Sequence, residues 1–167
     1  MIEELRKIEK LLLKVDGQNI SNFTIENECE EYFGFNFQIK NLNFKFRKSK
    51  ITPKKVGQFV TLWKRNAEKQ TEPFNENDNF DFYIFASEQD ENFGFFMFSK
   101  KLLIEKNILS TKSKEGKRGF RLYPTWTKTE NKQAEKTQSW QTKYFIDFKN
   151  KEQDNIEKLK SLMNENK

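Results

Sequence analysis

Apolar positions along this chain switch between two periods, and each switch marks an element. Ile2, Leu5, Ile8, Leu11 and Leu12 recur at helical spacing until Asp16-Gly17, which predicts an N-terminal amphipathic helix. The spacing of Ile25, Cys29 and Tyr32 or Phe33 predicts a second helix over about Phe23 to Tyr32, capped by Ser21 or Asn22. Phe33, Phe35, Phe37 and Ile39 then alternate as in a half-buried strand. Asn41 to Asn43 turn the chain, and Phe44 and Phe46 begin the return strand. Ile51-Thr-Pro-Lys reads as a loop, because proline turns its predecessor away from helix. Gly57 to Arg65 reads as one strand, and 66–79 as a polar, acidic loop containing Pro73. Phe80 to Ala86 and Phe93 to Phe98 predict a hairpin around a polar turn. Ser99 is a cap for a short helix over Lys100 to Asn107, followed by a basic loop at 110–118. A strand over Phe120 to Tyr123 stops at Pro124, a polar helix covers Thr129 to Ser139, and a strand covers Tyr144 to Phe148. Ile156, Leu159 and Leu162 or Met163 mark a last amphipathic helix. The pattern predicts an α/β (α+β) fold in one domain over 1–167, with a mixed, largely antiparallel sheet flanked by helices.

Composition narrows the chemistry. The 18 phenylalanines supply the expected core, and the single cysteine, Cys29, allows no internal disulfide. Histidine is absent, which excludes histidine-based triads, imidazole proton relays and imidazole zinc sites. Any metal would need carboxylate ligands, which points to magnesium, manganese or calcium. The first residues alternate charged and apolar side chains without a signal-like apolar stretch, and no apolar run approaches a membrane span. A soluble, cytoplasmic protein with no membrane partner is the expectation.

The net charge of +6 is unevenly placed. Residues 1–31 carry four basic and eight acidic side chains, and 32–67 carry nine basic and none acidic. Residues 68–91 carry one basic and eight acidic, and 92–149 carry thirteen basic and five acidic. Such blocks predict one basic face, as on a nucleic-acid-binding protein.

Phe46-Arg-Lys-Ser-Lys-Ile-Thr-Pro-Lys-Lys-Val-Gly-Gln-Phe-Val-Thr-Leu-Trp-Lys-Arg65, Gly116-Lys-Arg-Gly-Phe-Arg-Leu-Tyr-Pro-Thr-Trp126 and Lys132-Gln-Ala-Glu-Lys-Thr-Gln-Ser-Trp-Gln141 are long, unusual stretches. With Phe80-Asp-Phe-Tyr-Ile and Gly94-Phe-Phe-Met-Phe-Ser-Lys100, they resemble the signatures of the MepB family. The resemblance implies association with a multidrug efflux transporter and its repressor in bacteria. It implies no particular reaction.

Two of these stretches carry candidate chemistry. Lys50 and Lys54 lead into the strand ending at Lys64-Arg65, on which Gln58, Val60, Leu62 and Lys64 share a face expected to be a polar surface. The sharper candidate is Lys112 to Arg121, where Lys117, Arg118 and Arg121 precede Tyr123 and Trp126. Cations next to aromatic faces suit phosphates and unstacked bases, and Gly116 and Gly119 would let the backbone approach a ligand. A lysine-rich solvated loop over a core Tyr123 and Trp126 is the plainer alternative. Gln133 can read a base edge, whereas Trp140 is expected in the core.

From about residue 22 the element order resembles the core of the PD-(D/E)xK nuclease superfamily, in a degenerate form. The resemblance implies a metal site built from an acid on one strand and an acid-x-lysine on the next. Asp81, with Asp78 before it, and Lys100 match, and Glu28 is a further acid, but Phe98 stands where the second acid belongs. Three readings follow. The leading one is a non-catalytic DNA- or RNA-binding protein without a small-molecule cofactor, with Lys100 as a phosphate contact. The second is a magnesium- or manganese-dependent nuclease using Asp81 and Glu28. The third is an interaction protein for an acidic partner.

Overall fold

The computed structural model describes residues 1–165; the last two residues of the expected 1–167 domain lie outside them. The chain runs α1 (Glu3–Asp16), β1 (Ser21–Ile25), a 3-10 turn (Asn27–Tyr32), β2 (Phe35–Ile39) and β3 (Leu42–Lys48). It continues through β4 (Lys50–Ile51), β5 (Gln58–Thr61), β6 (Trp63–Arg65) and β7 (Thr71–Pro73). Then come β8 (Phe82–Gln89), β9 (Asn92–Ser99), α2 (Lys100–Glu105), β10 (Gly119–Leu122), α3 (Lys132–Gln141), β11 (Phe145–Asp147) and α4 (Glu152–Asn164).

Six strands form the main sheet in the order β1-β2-β3-β8-β9-β11. All its pairs are antiparallel except β3 with β8. A parallel pair needs a crossover. Here the crossover is residues 49–81, which themselves fold into β4, β5, β6 and β7. Strands β10-β5-β4 make a second sheet and β6-β7 a third.

Both faces of the main sheet are covered, which explains its unbroken apolar runs. Phe82, Ile84 and Ala86 of β8 and Phe95 and Met97 of β9 face a core shared with Leu5, Ile8 and Leu12 of α1 and Ile156 and Leu159 of α4. The alternate residues, Tyr83, Phe85, Phe96 and Phe98, join a second core with Val60, Leu62, Leu102, Leu103, Phe120 and Leu122. The hairpin of β8 and β9 is therefore the central wall between two aromatic cores. Gly17 ends α1 in the left-handed region (φ 73°), donating its N–H to the Leu13 carbonyl at 2.7 Å. Ser99 caps α2 by accepting the Leu102 N–H at 3.1 Å.

Three sequence expectations are corrected. The helix expected over Phe23 to Tyr32 is a strand followed by a 3-10 turn. The Phe23 ring lies 5.0 Å from that of Phe35, and β1 pairs along β2, so edge pairing overrides the helical spacing. Ile25 is exposed rather than core, and Phe33 (φ 52°) ends the turn instead of starting the strand. The strand expected over Gly57 to Arg65 breaks at Leu62, and the loop after it contributes β7. The polar surface expected from Gln58, Val60 and Leu62 is instead core. All three are buried, and Gln58 is satisfied internally, accepting from the Ser49 hydroxyl at 2.6 Å and donating to the Glu88 carbonyl at 3.1 Å.

Candidate nucleic-acid interface

The basic loop, β10 and α3 close around a cleft of about 440 Å³. Phe120, Ile108 and Ala134 are its apolar lining. Lys117, Gly119, Arg121 and Tyr123 line it from β10 and the residues beside it, Lys106 from the end of α2, and Lys55 from the loop before β5. Gln133, Thr137 and Trp140 recur at i, i+4 and i+7 and so share the face of α3 that lines the cleft. Among the described residues no carboxylate lines it. Lys55, Lys106 and Lys117 are exposed and join no salt bridge among the described residues.

Buried hydrogen bonds hold the walls. Gln141 is fully buried (0% exposed); it accepts the Tyr123 N–H at 2.9 Å and donates to the Arg121 carbonyl at 3.0 Å. One side chain thus fixes the end of α3 to β10. Arg121 crosses to the loop before β5, donating to the Val56, Lys55 and Gly57 carbonyls and to the Thr52 hydroxyl at 2.8–3.2 Å. Its primary task is to hold that loop, and with it Lys55, at the rim. The Tyr123 ring lies against Gly57, where an added Cβ would come within 2.8 Å of it. Trp140 packs on Phe98 (5.4 Å between ring centroids), with the Lys106 ammonium 5.0 Å from its own ring. Trp140, expected in the core, lines the cleft with one part and joins the core with another.

A family model for MepB-like proteins matches residues 26–147, more than half of the chain. This chain belongs to the MepB-like family. A crystal structure of MepB is similar over 90% of this chain and 100% of its own, with 33% identity and a TM-score of 0.78. A bacterial homing endonuclease covers 82% of this chain and 84% of its own at 17% identity and a TM-score of 0.47. That likeness decides nothing about fold or chemistry. No curated protein matches.

Apart from the loop that carries Lys55, the basic stretch at 46–65 lies elsewhere and is electrostatically different. It borders a groove of about 520 Å³ lined by Glu26, Glu28, Lys45, Arg47, Lys64 and Asp78 among others. Here cations meet acids from the flanking blocks. Glu26 bridges Lys45 (2.7 Å) and Arg47 (3.1 Å), and Asp78 holds Lys64 at 2.6 Å. Beyond the groove Lys48 pairs with Glu4, Lys50 with Glu31 and Lys40 with Asp16. Much of the acid-free run in sequence is therefore neutralised in space, while Lys54, Lys55 and Arg65 join no salt bridge among the described residues. Arg47 is 2% exposed and also donates to the Thr61 and Trp63 carbonyls. Tyr83, fully buried beside it, has its phenol held well above the ordinary range by burial, against the pull of Arg47. Burial likewise pushes up the thiol of Cys29, whose Sγ lies 3.9 Å from the Thr61 hydroxyl.

The remaining candidates scatter. Lys54 is exposed on the loop before β5. Arg65 donates to the Lys69 carbonyl, and its guanidinium lies 5.3 Å from the Trp63 ring. Arg118 pairs with Glu115 at 3.0 Å. Trp126 packs edge-on to Phe145 (5.5 Å) on the core side, away from the cleft lining. Lys100 donates to the Asp78 carbonyl and sits 5.1 Å from the Phe80 ring. Of the nuclease-like acids, Asp81 accepts the Asn43 N–H, Asp78 the Asn75 N–H and Glu28 the Arg65 N–H. Among the described residues no three potential metal-ligating side chains of His, Cys, Asp or Glu come together. Gly116 does approach a backbone closely, but it is the chain's own: a Cβ there would lie 2.3 Å from the Ile108 carbonyl oxygen. Lys55 and Lys106 join the cleft from distant segments, and no local pattern marks them as neighbours, whereas Trp140 shares the helical face of Gln133.

Proposed function

We propose that this protein binds nucleic acid in the cleft formed by β10, α3 and the loop before β5. The observation that carries the reading is a concave site with Lys55, Lys106, Lys117 and Arg121 on its lining and no acid among them. Unpaired cations in a concavity attract polyanions, and each phosphate neutralised releases counterions. Tyr123, Gln133 and Trp140 add ring faces and amide groups of the kind that contact bases. The role is binding rather than catalysis, set in bacteria beside a multidrug efflux system, as the family resemblance implies. An interaction with an acidic protein partner is the competing reading, which the same cations would serve.

Fluorescence anisotropy with labelled DNA and RNA oligonucleotides at 50 and 200 mM salt tests the proposal. Affinity falling steeply between the two, and falling further in Lys117→Ala, is the expected result. No binding at low salt, or affinity indifferent to salt, overturns it. Incubation with the same oligonucleotides in magnesium or manganese should leave them intact; cleavage lost in Asp81→Ala would establish the nuclease reading instead.

A further inference from the structure

Granted that the cleft binds nucleic acid, we infer that it takes single-stranded or extruded nucleotides, one base at a time, in preference to a duplex. Shape is the first ground. Readers of duplex DNA project a helix or ribbon into a groove about 12 Å wide. Here the helix along the site, α3, turns Gln133, Thr137 and Trp140 inward, onto the cleft. What it offers is a recess of about 440 Å³. That volume is on the scale of small-ligand sites, roughly 300–1,000 Å³, and so suits a nucleotide rather than a double helix.

The second ground is the distribution of chemistry within the recess. Tyr123 is backed by Gly57 and anchored through its own N–H to buried Gln141. A ring held that way is a preorganised stacking platform, and such platforms act only on bases whose faces are free. Lys106 rests beside Trp140 and Lys117 stands on the β10 side, so cations flank the recess where a strand's phosphates would run. Gln133, exposed on the first turn of α3, offers both a donor and an acceptor to a base edge. In a duplex the base faces are stacked and the edges paired, so only the phosphate contacts would remain.

The test compares one labelled 12-nucleotide strand, its blunt duplex and the same duplex carrying one unpaired nucleotide, all at one salt concentration. Single strand should bind at least about tenfold more tightly than blunt duplex, with the bulged duplex between them, since stacking of a base contributes roughly that factor. Tyr123→Leu should weaken single-strand binding by about tenfold and leave the duplex unchanged, whereas Tyr123→Phe should restore it. Equal affinity of the unmodified protein for strand and duplex overturns this inference while leaving the cleft a phosphate-binding surface. Single-strand affinity unmoved in a folded Tyr123→Leu also overturns it. Failure to bind any of the three overturns the proposed function itself.

Discussion

The groove around Arg47 and the cleft beside α3 are similar in volume, about 520 and 440 Å³, and both are rich in cations. In the groove each key cation faces an acid: Glu26 serves Lys45 and Arg47, and Asp78 serves Lys64. In the cleft the lysines face water. The first arrangement holds structure together, because buried charges must be paired to be tolerated. The second holds nothing together and costs little to maintain at exposed positions, which leaves it free for a ligand. The difference teaches that charge density along a sequence locates cations, while function depends on which of them the fold leaves without partners.

The largest effect should come from breaking the groove. Glu26→Ala strips Arg47, 2% exposed, of its carboxylate. Leaving a buried charge unpaired costs about 3–5 kcal/mol. For a chain of this size that corresponds to a fall in Tm of roughly 6–20 °C. Calorimetry reads the loss, and oligonucleotide affinity measured below the new Tm should be unchanged. A large affinity loss with an unaltered Tm would reverse the roles assigned to the two regions.

The converse experiment is Lys55→Ala, Lys106→Ala and Lys117→Ala together. Exposed substitutions should alter stability by under about 0.5 kcal/mol each. The slope of log K against log salt for a single strand should become shallower by about 0.7 for each phosphate that is no longer neutralised. Titrations at several ionic strengths check the slope, and an unchanged slope removes the three lysines from the interface.

Gln141→Ala probes the frame of the cleft rather than its charges. It leaves the Tyr123 N–H and the Arg121 carbonyl without their present partner, at a cost of about 1–3 kcal/mol. Chemical denaturation should register that loss, and single-strand affinity should fall alongside it because Tyr123 is no longer anchored.

The smallest effect is a pH dependence. Burial pushes the Glu4 carboxyl up, but the hydrogen bond from Lys48, a backbone hydrogen bond and the Lys48 charge together outweigh this and leave the group below its ordinary 4.5. The unfolded chain therefore binds this proton first as pH falls. The stabilisation is complete above 4.5 and is lost as pH drops through the lower, folded value. Glu4→Gln should cost about 1 kcal/mol at neutral pH and progressively less as pH falls below 4.5, as urea midpoints at neutral and acid pH would show.

Much of the frame is legible in residue order, for reasons that differ between elements. The β8 and β9 hairpin announces itself because both faces are buried and phenylalanine fills both. Caps such as Ser99 and Gly17 act within one turn, so local sequence records them. Phe23 to Tyr32 reads wrongly as helix because the strand pairing with β2 supplies what helical spacing conceals. The cleft is half legible: Lys117, Arg121, Tyr123 and Gln133 stand close in sequence and meet in space, whereas Lys55 arrives from over sixty residues away through Arg121. The ion pairs of the acid-free run are not legible at all, since each joins blocks separated by other elements.

The crossover between β3 and β8 carries a kinetic consequence. A parallel pair can zip only after the intervening chain, here 49–81, has been gathered in, and long closures of this kind slow folding. That same segment supplies β5, to which β10 pairs, and the carbonyls that Arg121 grips. The cleft is accordingly a late product of folding. A chain emerging from the ribosome can assemble its first hairpin early, but it acquires its binding surface only once α3 has emerged through Gln141 and the long loop has closed.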